Sequence, residues 1–142
     1  IALDSTESAM RNYAKIELLL YQNKYNQAQI EIDSMKQLYS GHSLIDELLW
    51  LQADVLKKMG DFDEAVILLQ IIVDEFAYDI LSDDAYFMIG ELYEQHLKQG
   101  EKAMEIYRDL LTKYPGSVYV AESRKRFRAL RGDFDRLEEE GN

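Results

Sequence analysis

The chain has no cysteine, one proline, one tryptophan and two histidines in 142 residues. Without cysteine there are no disulfides and no thiol chemistry, which suits a reducing compartment and does not exclude an oxidising one. One proline, Pro115, and seven glycines leave long uninterrupted stretches, which favour helices over many short strands. No run approaches the roughly 18 to 20 apolar residues of a membrane-spanning helix, so no direct membrane insertion is expected. His42, in a predicted inter-unit loop, and His96, near a helix end, have no second His or Cys at metal-ligand spacing. Neither a metal nor a cofactor is therefore expected. No glycine-rich phosphate loop follows a strand and no Gly-x-Ser-x-Gly elbow occurs, so the chain reads as a non-enzyme with no catalytic residues. Its carboxylate clusters, Asp61-Phe62-Asp63-Glu64 and Ser82-Asp83-Asp84, fall at predicted helix starts. Acids there complement the helix dipole, and neither segment has the longer pattern of a calcium loop.

What is present is apolar and acidic. Apolar residues make up 47% of the chain, enough for a core, and ten Tyr with five Phe supply large side chains for packing between helices. The length suits one domain spanning 1–142. The net charge of −11 would repel nucleic-acid phosphates and anionic lipid headgroups, which excludes nucleic acid as a natural partner. The chain opens at Ile1, with neither Met nor a basic-then-apolar leader. It reads as a fragment or processed chain, with any signal peptide or further repeats upstream.

The strongest signal is internal repetition. Tyr25-Asn26-Gln27-Ala28, Phe62-Asp63-Glu64-Ala65 and Gln99-Gly100-Glu101-Lys102-Ala103 recur with their alanines 37 and 38 residues apart. An aromatic closes each segment: Tyr39, Phe76 and Tyr114. Apolar spacing predicts two amphipathic helices per unit, as in Leu48 to Leu56 followed, past Met59-Gly60-Asp61, by Ala65 to Val73. Asp61 with Glu64 is a capping-box pattern, and Ser43, Ser82 and Ser117 stand where they could cap the next helix. Val120, Phe127, Leu130, Phe134 and Leu137 predict one more amphipathic helix, a solvating cap for the last unit. The expected architecture is all-α: an α-solenoid of three helix pairs plus a C-terminal capping helix. The repeats span about 9–45, 46–82 and 83–118, the cap about 118–131, and an acidic tail 132–142.

These units resemble the tetratricopeptide repeat. The third carries the likeness best, through Tyr86, Ile89, Gly90, Tyr93, Ala103, Tyr107 and Pro115; in the second, Leu49, Ala53, Leu56, Ala65 and Leu69 fill the same roles. The first departs from it, with Asn12 and Lys15 at apolar positions and Ile16 where a small residue lets two helices approach. The long period and the Tyr114-Pro115-Gly116-Ser117 turn look like bacterial cell-envelope members of the family. That likeness implies a periplasmic or outer-membrane-associated location and leaves the cytoplasm open. The family implies protein–protein interaction, with the first helices of successive units lining a concave groove.

Two ladders fall on those first helices. Tyr13, Trp50 and Phe87 are spaced by 37 and 37, and Glu17, Asp54 and Glu91 follow each by four residues, one helical turn. One reading makes this strip bind a peptide or protein surface bearing apolar and basic residues, the aromatics as anchors and the acids selecting charge, in an adaptor or assembly scaffold. The other makes the aromatics core and the acids a solvated face, in a structural or self-associating segment with no dedicated groove. Arg124, Lys125, Arg126, Arg128 and Arg131 make the last helix basic. Arg124 lies 37 residues after Phe87 and Arg128 lies 37 after Glu91. This register predicts either an internal ion-pair network or self-association through Arg124 and Arg128.

Overall fold

The computed structural model describes the backbone of residues 2–39, 44–77 and 80–140, and the side chains of these residues except 2–6 and 133–140. Among the described residues there are seven helices and no strand. They are α1 (Ala2–Tyr21), α2 (Tyr25–Leu38), α3 (Ile45–Met59), α4 (Phe62–Glu75), α5 (Ser82–Gln95), α6 (Gly100–Lys113) and α7 (Val120–Glu140). The helices form two compact units, residues 1–68 and 69–142, with the division inside α4.

The turn inside each helix pair is built around one residue in the left-handed conformation: Asn23 (φ 60°), Gly60 (φ 85°) and Lys98 (φ 53°). Reversing the chain there lets a following amide reach back to the last turn of the helix. Lys24 N–H donates to the Leu19 carbonyl, Asp61 N–H to that of Leu56, and Gln99 N–H to that of Tyr93. Acids in the first turn of α3, Asp46 and Glu47, and lysines in its last turn, Lys57 and Lys58, match the helix dipole at both ends.

In unit 1, α1 packs on α2 and α2 on α3. Ile16, Leu19 and Leu20 of α1 meet Ala28, Ile32 and Met35 of α2 and Leu48, Leu51 and Val55 of α3 in one buried cluster. The steps of three and four residues place each set on a single helix face. In unit 2, α6 packs on both α5 and α7. The second half of α4 contributes buried Leu69, Ile72 and Val73.

The two units solve the same packing problem with different residues. Gly90 on α5 lies against the Tyr107 ring on α6, so close that a Cβ there would sit 2.7 Å from Tyr107 Cε1. At the matching positions of unit 1 stand Ile16 and Ile32, both fully buried. Glycine with tyrosine is exchanged for two isoleucines at similar total volume, which cores tolerate well. Ile16 thus joins the core despite departing from the small-residue pattern.

Three expectations are corrected or narrowed. Ser82 is the first residue of α5 and bonds the Tyr114 hydroxyl, while Leu81 occupies the cap position without a side-chain bond. Ser117 does accept from a backbone amide, Tyr119 N–H at 3.1 Å, and donates to Asp83 Oδ2 at 2.6 Å. Ser43 lies outside the described residues. The last helix does not stop near residue 131 but runs on through the acidic segment to Glu140. Gly132 is the one weak helix former in that stretch, and a single glycine costs only about 1 kcal/mol.

Candidate functional site

The six ladder residues fall into unlike settings. In unit 1, Tyr13 is half-buried and lines an open cleft of about 410 Å³ with Met10, Ala14 and Glu17 of α1 and Leu44 and Glu47 at the start of α3. Met10 is 64% exposed, a large apolar side chain left to solvent beside the cleft. The Tyr13 phenol is held above its ordinary value by burial and then by the Glu17, Glu47 and Asp46 carboxylates. That electrostatic contribution marks the cleft as electronegative. Glu47 Oε2 is cut off from solvent and has no hydrogen-bond partner among the described residues. Trp50 is half-buried on α3, and Asp54, one turn on, pairs with Lys58 of its own helix at 3.2 Å.

In unit 2 the third rung is already filled by the chain itself. Phe87 is only 7% exposed. The Tyr119 ring stacks on it at 4.4 Å with 12° between planes, Tyr107 lies 5.7 Å away, and the Arg126 guanidinium sits 5.1 Å above the ring. Glu91 is taken as well, by Arg126 Nη1 at 3.2 Å; Arg126 Nε reaches Glu122 at 3.0 Å and Nη1 lies 3.6 Å from Glu94. The basic helix therefore does form an internal network with the acidic ladder. It does so through Arg126, whereas Arg124 and Arg128, chosen from the 37-residue register, are exposed. α5 begins 37 residues after α3 but α7 begins 38 after α5, so the 37-residue register that picked Arg124 and Arg128 does not carry over to α7, and the side chain that reaches Glu91 is that of Arg126.

The phenols of this network give a pH prediction. Tyr119 is pushed up to about 12, first by its hydrogen bond to Asp84 (2.6 Å) and then by burial. Tyr86 is pushed up to about 12 by burial and then by Asp109, and Tyr107 is raised further by burial and its bond to Glu94. Each phenol holds its proton more tightly folded than unfolded, where its value is 10.0. Their stabilising contribution is complete below about pH 10 and is lost as the pH rises through about 12. Urea midpoints followed by circular dichroism should fall steeply across that interval, and Tyr119→Phe should flatten the fall. A midpoint independent of pH there would disprove the assignment.

Among the described residues no group of three or more His, Asp or Glu could hold a metal ion, and no helix is long and apolar enough to cross a membrane.

Consecutive helices of similar length, with a left-handed residue in the turn inside each pair, define an α-helical repeat protein. The tetratricopeptide repeat pattern matches residues 47–77 and 84–117, which cover α3–α4 and α5–α6. The chain belongs to the tetratricopeptide repeat family through these two segments. Repeats of this family mediate protein–protein interaction and are typically non-catalytic. No curated protein matches the chain in sequence.

The sequence strip did not include Met10, Ala14, Leu44, Glu47, Tyr119 or Arg126. Leu44 and Tyr119 sit in the connections just before α3 and α7, where a helical repeat of apolar residues gives no signal. Only the period itself, carried into those connections, could have found them.

Proposed function

We propose that the chain is a docking module that holds a protein segment bearing apolar and basic residues, in an adaptor or assembly scaffold. The seat is the unit 1 cleft, with Tyr13 as anchor and Glu17 selecting charge, and with Trp50 and Asp54 supplying the next rung. The observation that carries this reading is the open cleft of about 410 Å³ with Tyr13 in its wall and Met10 exposed beside it. An apolar wall flanked by carboxylates suits a basic, amphipathic ligand. Phe87 and Glu91 are given a structural role instead, because α7 already occupies them.

A photo-crosslinking amino acid at Ala14, which lines the cleft and is exposed, tests this reading against the same group at exposed Arg124 on α7. Adducts with partner proteins are expected from position 14 and not from 124. Tyr13→Ala should weaken capture by more than about 1 kcal/mol, roughly fivefold, with helicity retained. Equal labelling from both positions, or capture indifferent to Tyr13→Ala, sinks the proposal.

A further inference from the structure

Leu44 immediately precedes Ile45, the first residue of α3, and Tyr119 immediately precedes Val120, the first residue of α7, 75 positions on. The same interval relates Glu47 to Glu122 and Leu51 to Arg126, and 74 positions relate Tyr13 to Phe87 and Glu17 to Glu91. Burial follows this register: Leu48 and Ser123, which it pairs, are both fully buried, as are Ile32 and Tyr107. Each unit therefore contains its own copy of one arrangement, and the two copies can be compared position by position.

In unit 2 the arrangement is complete. Two carboxylates, Glu91 and Glu122, hold one guanidinium, that of Arg126, which also lies over the Phe87 ring, and the Tyr119 ring stacks on the same aromatic. Unit 1 keeps the acids as Glu17 and Glu47 and the aromatic as Tyr13. It lacks both covering groups: Leu44 replaces Tyr119, and Leu51 replaces Arg126 and packs in the hydrophobic cluster. What remains is the cleft between Tyr13, Glu17, Leu44 and Glu47. Its Glu47 carboxylate has one oxygen buried without a partner among the described residues, an arrangement that costs free energy until a donor reaches it. The nearby Lys15 is engaged elsewhere, with Glu31 at 3.1 Å.

We propose, building on the docking reading above, that the bound partner supplies the missing arginine. Its guanidinium enters between Glu17 and Glu47 over the Tyr13 ring, and an adjacent aromatic of the same segment lies against Leu44 and Met10. Arginine fits where lysine does not, because its planar fork serves two carboxylates at once while its face rests on an aromatic, as Arg126 does in unit 2.

The test is an NMR titration of the full chain with three blocked dipeptides: acetyl-Phe-Arg-amide, its lysine analogue and its citrulline analogue, which keeps the shape of arginine without the charge. The arginine peptide should shift amide signals of α1 and the first turn of α3, and bind at least about tenfold tighter than the citrulline peptide. Lysine should fall between them. Glu47→Gln and Leu44→Tyr, the second placing a Tyr119-like ring over Tyr13, should each weaken the arginine peptide about tenfold. Retained signal dispersion in each variant shows that it folds. Glu47→Gln should also raise the urea midpoint of the free chain, since it removes the charge from a side chain that has one oxygen shielded from solvent beside the Glu17 carboxylate. Equal binding of arginine and citrulline peptides, no effect of Glu47→Gln on binding, or no shift with any peptide overturns the arginine assignment. If crosslinking from position 14 persists in that case, docking stands and only the arginine is lost; if it fails too, the docking reading falls with it.

Discussion

Gly90→Ala is expected to destabilise the protein, although replacing glycine by alanine inside a helix ordinarily gains about 0.5–1 kcal/mol. The sign reverses because of what the new methyl group would meet. A Cβ at position 90 lies 2.7 Å from Tyr107 Cε1, 3.1 Å from Cδ1 and 3.2 Å from Ile106 Cγ2. The Tyr107 ring cannot swing aside cheaply: it is fully buried, and its hydroxyl donates to Glu94 at 2.7 Å and accepts from Arg126 at 3.3 Å. Overpacking of this kind costs about 1–3 kcal/mol, so alanine should lose about 1 kcal/mol net and valine about 3. Urea denaturation of the two variants measures this directly. Unit 1 indicates the remedy, since the matching pair there is Ile16 with Ile32. Gly90→Ile combined with Tyr107→Ile should be more stable than Gly90→Ile alone. A raised midpoint for Gly90→Ala would show that α5 and α6 are not in this close contact.

Arg126→Met should cost about 2 kcal/mol, more than any other single charge removal in unit 2. The side chain is 23% exposed and meets three carboxylates, Glu91, Glu94 and Glu122, besides two aromatic rings and the Tyr107 hydroxyl. Burial disfavours its charge, but the Tyr107 hydroxyl, Glu122 and Glu91 outweigh that and hold the guanidinium protonated. Removing it leaves the partly exposed Glu91 and Glu94 and the more exposed Glu122 without the cation they share. Breaking a fully buried pair costs about 3–5 kcal/mol, and partial exposure of these acids reduces that figure. Methionine retains the apolar contact over Phe87, so the loss reports mainly on charge. Glu91→Gln in the same background should restore part of the stability, giving a non-additive cycle of at least about 0.5 kcal/mol. An additive cycle would mean that the two side chains do not interact.

The helix pairs were legible in the sequence because their causes are local. Alanines at 37- and 38-residue intervals, apolar steps of three and four, and a turn-forming Gly60 each act within a few residues of themselves. The first rung was partly legible: Tyr13 and Glu17 were found by period, and both line the cleft. The third was not, because whether Phe87 faces solvent depends on Tyr119 and Arg126, more than thirty residues away, folding back onto it. The cation that reaches Glu91 is Arg126 and neither Arg124 nor Arg128, because a repeat period counts positions along the chain and does not say which side of α7 packs inward.

The sequence by itself determined the helices, their pairing and the family, since these follow from short-range periodicity and turn chemistry. Tertiary structure alone decided which of two equivalent acidic and aromatic rungs remains open. In unit 2 the chain fills it with its own arginine and tyrosine, and in unit 1 Leu51 and Leu44 stand in their places and leave a cleft. The physical reason is that exposure belongs to what packs against a side chain, and that partner lies on another helix.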